Sequence, residues 1–152
     1  ANGGFIFTST NGTSWDNRTS GTSNDINGIT YGNGTFVAVG KSGTILTSDN
    51  GTSWASITSG STAINGITYG NSTFVAVGNS GTILTSSNGT SWDNRTSGTD
   101  KDINGITYGN SHFIAVSDNG TILTSDNGTT WEIPWSPATT TTIDCKFEAN
   151  NK

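Results

Sequence analysis

His112 and Cys145 are the side chains best suited to acid–base or nucleophilic chemistry, and each is the only residue of its type in the sequence. A Ser-His-Asp or Cys-His unit needs a histidine as its base, and a cysteine thiol is a common nucleophile. His112, however, replaces Thr35 and Thr73 of equivalent segments, which is typical of a surface substitution. Cys145 has no second cysteine to pair with, so it is either a free thiol or part of an intermolecular disulfide.

Paired carboxylates are the other route to catalysis, and the sequence offers few of them. The only glutamates are Glu132 and Glu148, and no carboxylate pair stands apart from the repeated pattern described below. Glycoside hydrolysis generally needs two carboxyl groups flanking one bond. The glycine-rich turns do not open helices, as phosphate-binding loops would. The sequence therefore predicts a protein that is not an enzyme and has no cofactor.

Residues that recur at equivalent positions are better candidates for ligand binding. An aromatic face beside amide, carboxylate and hydroxyl groups suits sugar recognition, and repeated weak sites gain avidity. Three tyrosines and two acidic–basic clusters recur in this way: Tyr31, Tyr69 and Tyr108, Asp16 with Arg18, and Asp93 with Arg95. The alternative is that the tyrosines pack between repeats and that the charged clusters lie on solvated outer strands.

A repeat of about 40 residues positions these side chains. The segment Thr-Ile-Leu-Thr-Ser-(Ser/Asp)-Asn-Gly-Thr-(Ser/Thr)-Trp recurs, and its tryptophans are 39, 38 and 39 residues apart: Trp15, Trp54, Trp92 and Trp131. A fixed period of this size is typical of repeat architectures. Each full repeat holds four short runs rich in β-branched and aromatic residues, bounded by Gly, Asn, Asp or Ser, which predicts strands joined by tight turns.

One run in each repeat, Phe36–Val39 in the first, is apolar on both faces, which predicts burial between stacked sheets. Antiparallel meanders packed face to face around an axis form a β-propeller. The sequence thus predicts an all-β fold of four-stranded antiparallel blades, with about three and a half blades per chain. The repeats span 1–137, with a half-blade at 4–22 and blades at 25–60, 63–98 and 102–136, and a tail or strand follows at 138–152.

The half-blade lacks its two inner strands, so the propeller must be completed in some way. The tail could complete a four-bladed ring, two chains could share one ring, or chains could join head to tail in a filament. An oligomeric closure is favoured because a four-bladed ring needs wider blades than these short strands suggest.

The turn before each tryptophan resembles the Asp box, Ser-x-Asp-x-Gly-x-Thr-Trp, of sialidase-like (BNR) propellers. Two copies retain the aspartate, and the residues matching the box in them are Asp49, Gly51, Trp54, Asp126, Gly128 and Trp131. The other two copies have Thr10 and Ser87 there. Over about residues 4–135 the repeat is also similar to bacterial surface and secreted propeller repeats and to photosystem II assembly-factor propellers.

This resemblance implies a propeller in which the box is a structural turn remote from any active site. An Asp side chain can accept N–H groups across its turn, Gly supplies a positive φ, and Trp fills an apolar gap. The three arginines of a sialidase site are not matched, because the chain has only Arg18 and Arg95. Two of the four boxes lack the aspartate, which argues against a repeated calcium site and predicts no metal.

The charge and composition exclude further classes of partner. The net charge is -5 with only six Lys and Arg, which argues against nucleic acid and anionic membrane surfaces. No apolar run approaches the length of a membrane-inserted helix. The prediction is an extracellular or cell-surface binding module that binds carbohydrate and associates with itself. The alternatives are a structural subunit of a filament or surface assembly, joined through its incomplete blades, and a protein-assembly factor.

Overall fold

The structure of the 152-residue chain, a computed structural model, describes residues 3–135. Over these residues it contains one two-stranded and three four-stranded antiparallel sheets. The half-blade comprises β1 (Ile6–Thr8) and β2 (Asp16–Arg18). The strands of the three blades are β3 (Ile26–Gly32), β4 (Thr35–Gly40), β5 (Thr44–Ser48) and β6 (Ala55–Thr58); β7 (Ile64–Gly70), β8 (Thr73–Gly78), β9 (Ile83–Ser86) and β10 (Asp93–Arg95); and β11 (Ile103–Gly109), β12 (His112–Ser117), β13 (Ile122–Ser125) and β14 (Glu132–Trp135).

Each blade is a meander in which every strand pairs with the next along the chain. The two-residue turn between β3 and β4 places Asn33 at φ 48° and Gly34 at φ 77°, as a tight hairpin requires. A register shift between Ile26 and Gly28 marks a bulge, which recurs in the other two blades. The predicted all-β propeller of four-stranded antiparallel blades is confirmed.

The second strand of each blade forms most of the core. Val37, Ala38 and Val39 of β4 are fully buried, which explains why this run is apolar on both faces. The valines pack toward Phe74 of the second blade, whereas Ala38 packs with Ile6 of the half-blade. Full burial of one such valine contributes about 1.5–3 kcal/mol.

Neighbouring blades meet through a tyrosine that lies over a glycine. A Cβ on Gly32 would lie 2.1 Å from Cγ of Tyr69, and a Cβ on Gly70 would lie 2.1 Å from Cγ of Tyr108. Any side chain at these two strand ends would force the tyrosine ring to move. Asn27 Nδ2 also donates to the carbonyl of Ile64 across the first interface (2.8 Å). The inner strands of successive blades are therefore held together by a contact set that repeats.

Apolar and polar contacts attach the half-blade to the first blade. Ile6 is buried against Ala38 and Leu46. The Gly3 N–H donates to Oδ1 of Asp25 (2.7 Å), and Lys41 forms an ion pair with the same carboxylate. The hydrogen bond from Lys41, with that from Gly3, lowers the pKa of Asp25 below its ordinary value.

The third blade has an open face at the other end of the described arc. A Cβ on Gly109 would meet no atom of residues 3–135 within 4 Å, because no tyrosine in this range lies over it, and Val116 is half-exposed. No helix within residues 3–135 is long and apolar enough to cross a membrane. The predicted tail, with Cys145 and Glu148, and any closure through it lie outside the described residues.

Candidate functional site

An open cleft lies between the half-blade and the first blade, where the two inner strands of a complete blade would stand. It encloses about 500 Å³. The half-blade contributes β1, β2 and the turn between them, and the first blade contributes Ile29, Phe36 and its own turn before Trp54. The apolar lining residues are Ile6, Phe7, Trp15, Ile29, Phe36 and Trp54.

Ile29 is exposed because no inner strand of the half-blade within residues 3–135 covers it. Phe7 and Trp15 correspond to Leu46 and Trp54, which pack against the preceding unit, and within residues 3–135 no unit precedes the half-blade. Phe7 is 52% exposed and Trp15 60% exposed, and Ile29 of the first blade is 56% exposed. Leu46, which corresponds to Phe7 in the first blade, is fully buried. Ile67, which corresponds to Ile29, is partly buried against the core of the preceding blade. Side chains that form a core elsewhere in the chain thus form a surface here.

The equivalent cleft between the second and third blades has a different character. It encloses about 420 Å³ and is lined by Asn94, Arg95, Thr96, Gly98, Thr129, Thr130 and Trp131. Its isoleucine and phenylalanine counterparts are absent from the lining, since complete inner strands fill that space. The cleft beside the half-blade therefore has a more apolar lining than the cleft between the second and third blades.

The acidic–basic clusters predicted as ligand sites form contacts within their own sheets. Arg18 Nε donates to Oγ1 of Thr8 (2.7 Å), and its Nη2 lies 2.9 Å from Oδ2 of Asp16. Arg95 makes the same two contacts, to Thr85 (2.8 Å) and to Asp93 (3.2 Å). The two arginine side chains are each 30% exposed. Only the pair of Asp16 and Arg18 borders the apolar cleft.

The three predicted tyrosines are not equivalent in the structure. Tyr69 and Tyr108 are partly buried over Gly32 and Gly70 of the preceding blades, so they serve blade packing. Tyr31 is 57% exposed, because within residues 3–135 the half-blade has no inner strand to receive it. The centroid of its ring lies 4.6 Å from that of Phe36, and the other two tyrosines pack on their own phenylalanines in the same tilted geometry. The structure therefore brings one of the three close to the cleft.

The turns that resemble the Asp box depend on asparagine rather than aspartate. Oδ1 of Asn50 accepts the N–H groups of Thr52 and Ser53 (2.9 and 3.0 Å), and Ser48 Oγ accepts that of Gly51 (2.8 Å). The equivalent serine and asparagine make the same bonds in the other three copies. The expectation that the aspartate accepts these N–H groups is wrong, because the residue after it occupies the accepting position.

The aspartates of the two box-like turns are not the acceptors of the turn N–H groups. Asp49 is exposed, and Asp126 Oδ1 lies 2.6 Å from Nδ1 of His112. The other predicted features are present: Gly51 and Gly128 have φ of 75°, and the indole N–H groups of Trp54 and Trp131 donate to the carbonyls of these glycines (3.1 and 2.9 Å). The asparagine could have been found in the sequence, since it stands in all four copies and the aspartate in two.

His112 is placed in an exposed hairpin and not in the cleft. Its partner Asp126 is also exposed, so the pair lies open to water. Within residues 3–135 no group of three or more His, Cys, Asp or Glu side chains is arranged to hold a metal ion.

Sequence reasoning did not single out Phe7, Trp15 and Ile29, although the signal was available. In the repeat pattern Ile29 faces the place of the missing inner strands, whereas Phe7 and Trp15 face the place of a preceding unit, so all three are uncovered in the described residues. Reading the repeats against one another at these three positions would have located the cleft.

Comparison with solved structures identifies similar folds. The chain resembles YCF48 bound to D1 peptide, with 22% identity and a TM-score of 0.61 over 80% of this chain and 43% of that one. It also resembles YCF48 from Cyanidioschyzon merolae, with 18% identity and a TM-score of 0.62 over 87% of this chain and 51% of that one. The chain thus spans about half the length of these structures, and the likeness shows a β-propeller fold. No protein-family model and no curated protein matches the chain.

Proposed function

We propose that this chain is a non-enzymatic protein-binding module, of the assembly-factor kind, which takes up an extended polypeptide segment of a partner in the cleft beside the half-blade. The observation that carries this proposal is the apolar lining of that cleft by Phe7, Trp15 and Ile29, all more than half exposed. Contiguous exposed apolar side chains with a polar rim mark interaction sites. A narrow apolar groove beside a strand suits an extended chain.

The charge of the cleft favours a neutral, apolar segment. Arg18 and Asp16 at its border neutralise each other at 2.9 Å. Neither a basic nor an acidic ligand therefore gains an unpaired counter-charge from this pair. The fold similarity to YCF48 bound to D1 peptide supports a polypeptide as the class of ligand.

Carbohydrate binding, the function favoured by the sequence alone, has less support than polypeptide binding. It relied on equivalent aromatic faces, and two of the three tyrosines are partly buried between blades. Self-association and a location outside the cell stay predictions.

The test is a side-by-side screen of the full chain against an immobilised library of random twelve-residue peptides and an array of glycans. We expect saturable binding to apolar peptides and none to glycans. Trp15→Ser should weaken the peptide binding by at least about tenfold, because the indole is a large part of the lining. Trp135→Ser is the matched control, since Trp135 is equally exposed but lies on β14 of the third blade.

Binding to glycans alone would overturn the proposal. Equal losses in the two tryptophan variants would also overturn it, because they would place the binding surface outside the cleft. Thermal unfolding of both variants, followed by circular dichroism, checks that each retains the fold.

A further inference from the structure

Strand β1 has one paired edge and one open edge in the described part of the chain. Its residues pair with β2, with Ile6 opposite Arg18 and Thr8 opposite Asp16. Within residues 3–135 no strand pairs with its other edge, which borders the cleft. An open strand edge presents unpaired N–H and C=O groups, and these are a template for a further strand.

The complete blades show what pairs with this edge elsewhere. Ile45, Leu46 and Thr47 of β5 correspond to Ile6, Phe7 and Thr8, because both runs precede the same serine–asparagine turn. Opposite these three β5 residues stand Val39, Ala38 and Val37. The second blade has Val-Ala-Val and the third Val-Ala-Ile in the same antiparallel register. A β-branched residue on each side of a small one is thus the recurring partner of this strand.

We propose, on the basis of the function proposed above, that the cleft binds its polypeptide as an added strand antiparallel to β1. The segment places β-branched residues opposite Ile6 and Thr8 and a small residue opposite Phe7. Its backbone bonds to the open edge of β1, and its alternate side chains enter the apolar cleft.

The side chains of the first blade supply the specificity. In the complete interface between the first and second blades, Val37 and Val39 pack against Phe74, and Val39 lies beside Ile67. The corresponding residues at the cleft are Phe36 and Ile29. Valine or isoleucine opposite Ile6 and Thr8 therefore points at these two side chains. A charged residue at either place loses its water without gaining a partner.

The occupant is a segment of another protein rather than a strand lent by a second folded copy. In the described residues, all three strands of the required type, β4, β8 and β12, already pair on both edges within their own blades. Donating one of them would dismantle a blade and expose a buried core. A partner with an extended Val-Ala-Val-like segment pays no such cost.

The first experiment measures fluorescence anisotropy of a labelled peptide with the core Thr-Phe-Val-Ala-Val-Gly, the sequence of β4, flanked by lysines for solubility. Two further peptides carry N-methyl groups on one or the other alternate set of core amides. In an added strand only one set faces β1, so methylation of that set should weaken binding by at least about tenfold more than methylation of the other. Equal effects of the two sets would overturn strand addition.

The second experiment compares two protein variants with the same peptide. Ile29→Asp places a carboxylate in the cleft and should weaken binding by at least about tenfold. Val116→Asp is the matched control on the open face of the third blade, where Val116 is similarly exposed, and it should leave binding unchanged. Both side chains are already exposed, so neither change should unfold the chain. Equal affinity of the two variants would overturn the assignment of Ile29.

Amide hydrogen exchange of the full chain then identifies the occupant. The amides of β1 that face the cleft should exchange rapidly in the free chain and slow on addition of peptide. Protection that is already present without peptide and persists on dilution would assign the edge to the chain's own residues. Protection that is lost on dilution would assign it to a second copy. Both results overturn the choice of a separate partner.

The outcomes distinguish this inference from the function on which it rests. Binding that depends on Trp15 but not on the methylated set of amides keeps the protein-binding function and removes strand addition. Absence of binding to any peptide in the library removes both.

Discussion

Phe7 and Leu46 occupy the same position in their sheets, yet Phe7 is more than half exposed and Leu46 is fully buried. Trp15 and Ile29 are likewise more than half exposed, whereas their counterparts Trp92 and Ile67 are partly buried. The local turns are alike in the half-blade and in the complete blades. Burial in the described residues therefore depends on which strands stand beside a residue, and side chains that are covered in the complete blades are exposed at the half-blade.

The largest difference between the two regions is expected for tryptophan truncation. Trp92 packs against the core between the first and second blades, and its indole N–H donates to the Gly89 carbonyl (2.9 Å). Trp92→Ala should destabilise the chain by roughly 3–5 kcal/mol, as expected for removal of a large core side chain. Trp15→Ala should cost under about 1 kcal/mol because the ring is exposed. Urea unfolding followed by circular dichroism measures both, and equal losses would break the comparison.

Glycine substitutions test the contact between blades. Gly70→Ala would place a Cβ 2.1 Å from Cγ of Tyr108, so the ring must move, at a cost of about 1–3 kcal/mol. Gly109→Ala is the same change at the same strand position, where the new Cβ meets no atom within 4 Å. Its effect should lie within about 0.5 kcal/mol of zero. A loss at Gly109 as large as that at Gly70 would mean that the open face of the third blade is covered.

The smallest differences are expected in the turns, which the two regions share. Asn50→Ala and Asn11→Ala each remove an acceptor of two backbone N–H groups, so each should cost about 1 kcal/mol. Asp49→Ala should have almost no effect, since its carboxylate is exposed and outside the turn. Thermal shifts of the three variants would sharpen the comparison. A larger loss for Asp49→Ala than for Asn50→Ala would restore the aspartate to the structural role that the family pattern implies.

Most of the fold could be predicted from the sequence, because the fold depends on local sequence patterns that recur in each repeat. The spacing of the tryptophans reveals the repeat. The run Phe36–Val39 is apolar on both faces of its strand, which requires a neighbouring sheet on each face of its blade. The missing inner strands of the half-blade were also evident from the pattern. These features depend on short-range chemistry, namely turns, alternation and burial.

The candidate site could be predicted only in part, because it depends on which neighbours are present. Tyr31 and Tyr69 stand in the same sequence context, but only Tyr69 has a glycine of a preceding blade beneath its ring. The aspartate of the box was chosen because of a family pattern, whereas the geometry of this turn uses Asn50. Such a site is found by comparing each exposed side chain with its counterpart in a complete blade.

The attachment of the half-blade also bears on how the chain unfolds. Within residues 3–135 the half-blade has two strands of three residues each and contacts one blade, whereas the second blade has four strands and packs against a blade on each side. In a linear array of units that contact only their neighbours, the terminal unit opens first, and at a lower free energy than the interior. The half-blade, which forms one wall of the cleft, is then expected to have the lowest free energy of opening among the described blades. A ligand that adds a strand to it would raise the protection of the whole N-terminal end from proteolysis, and not merely occupy a surface.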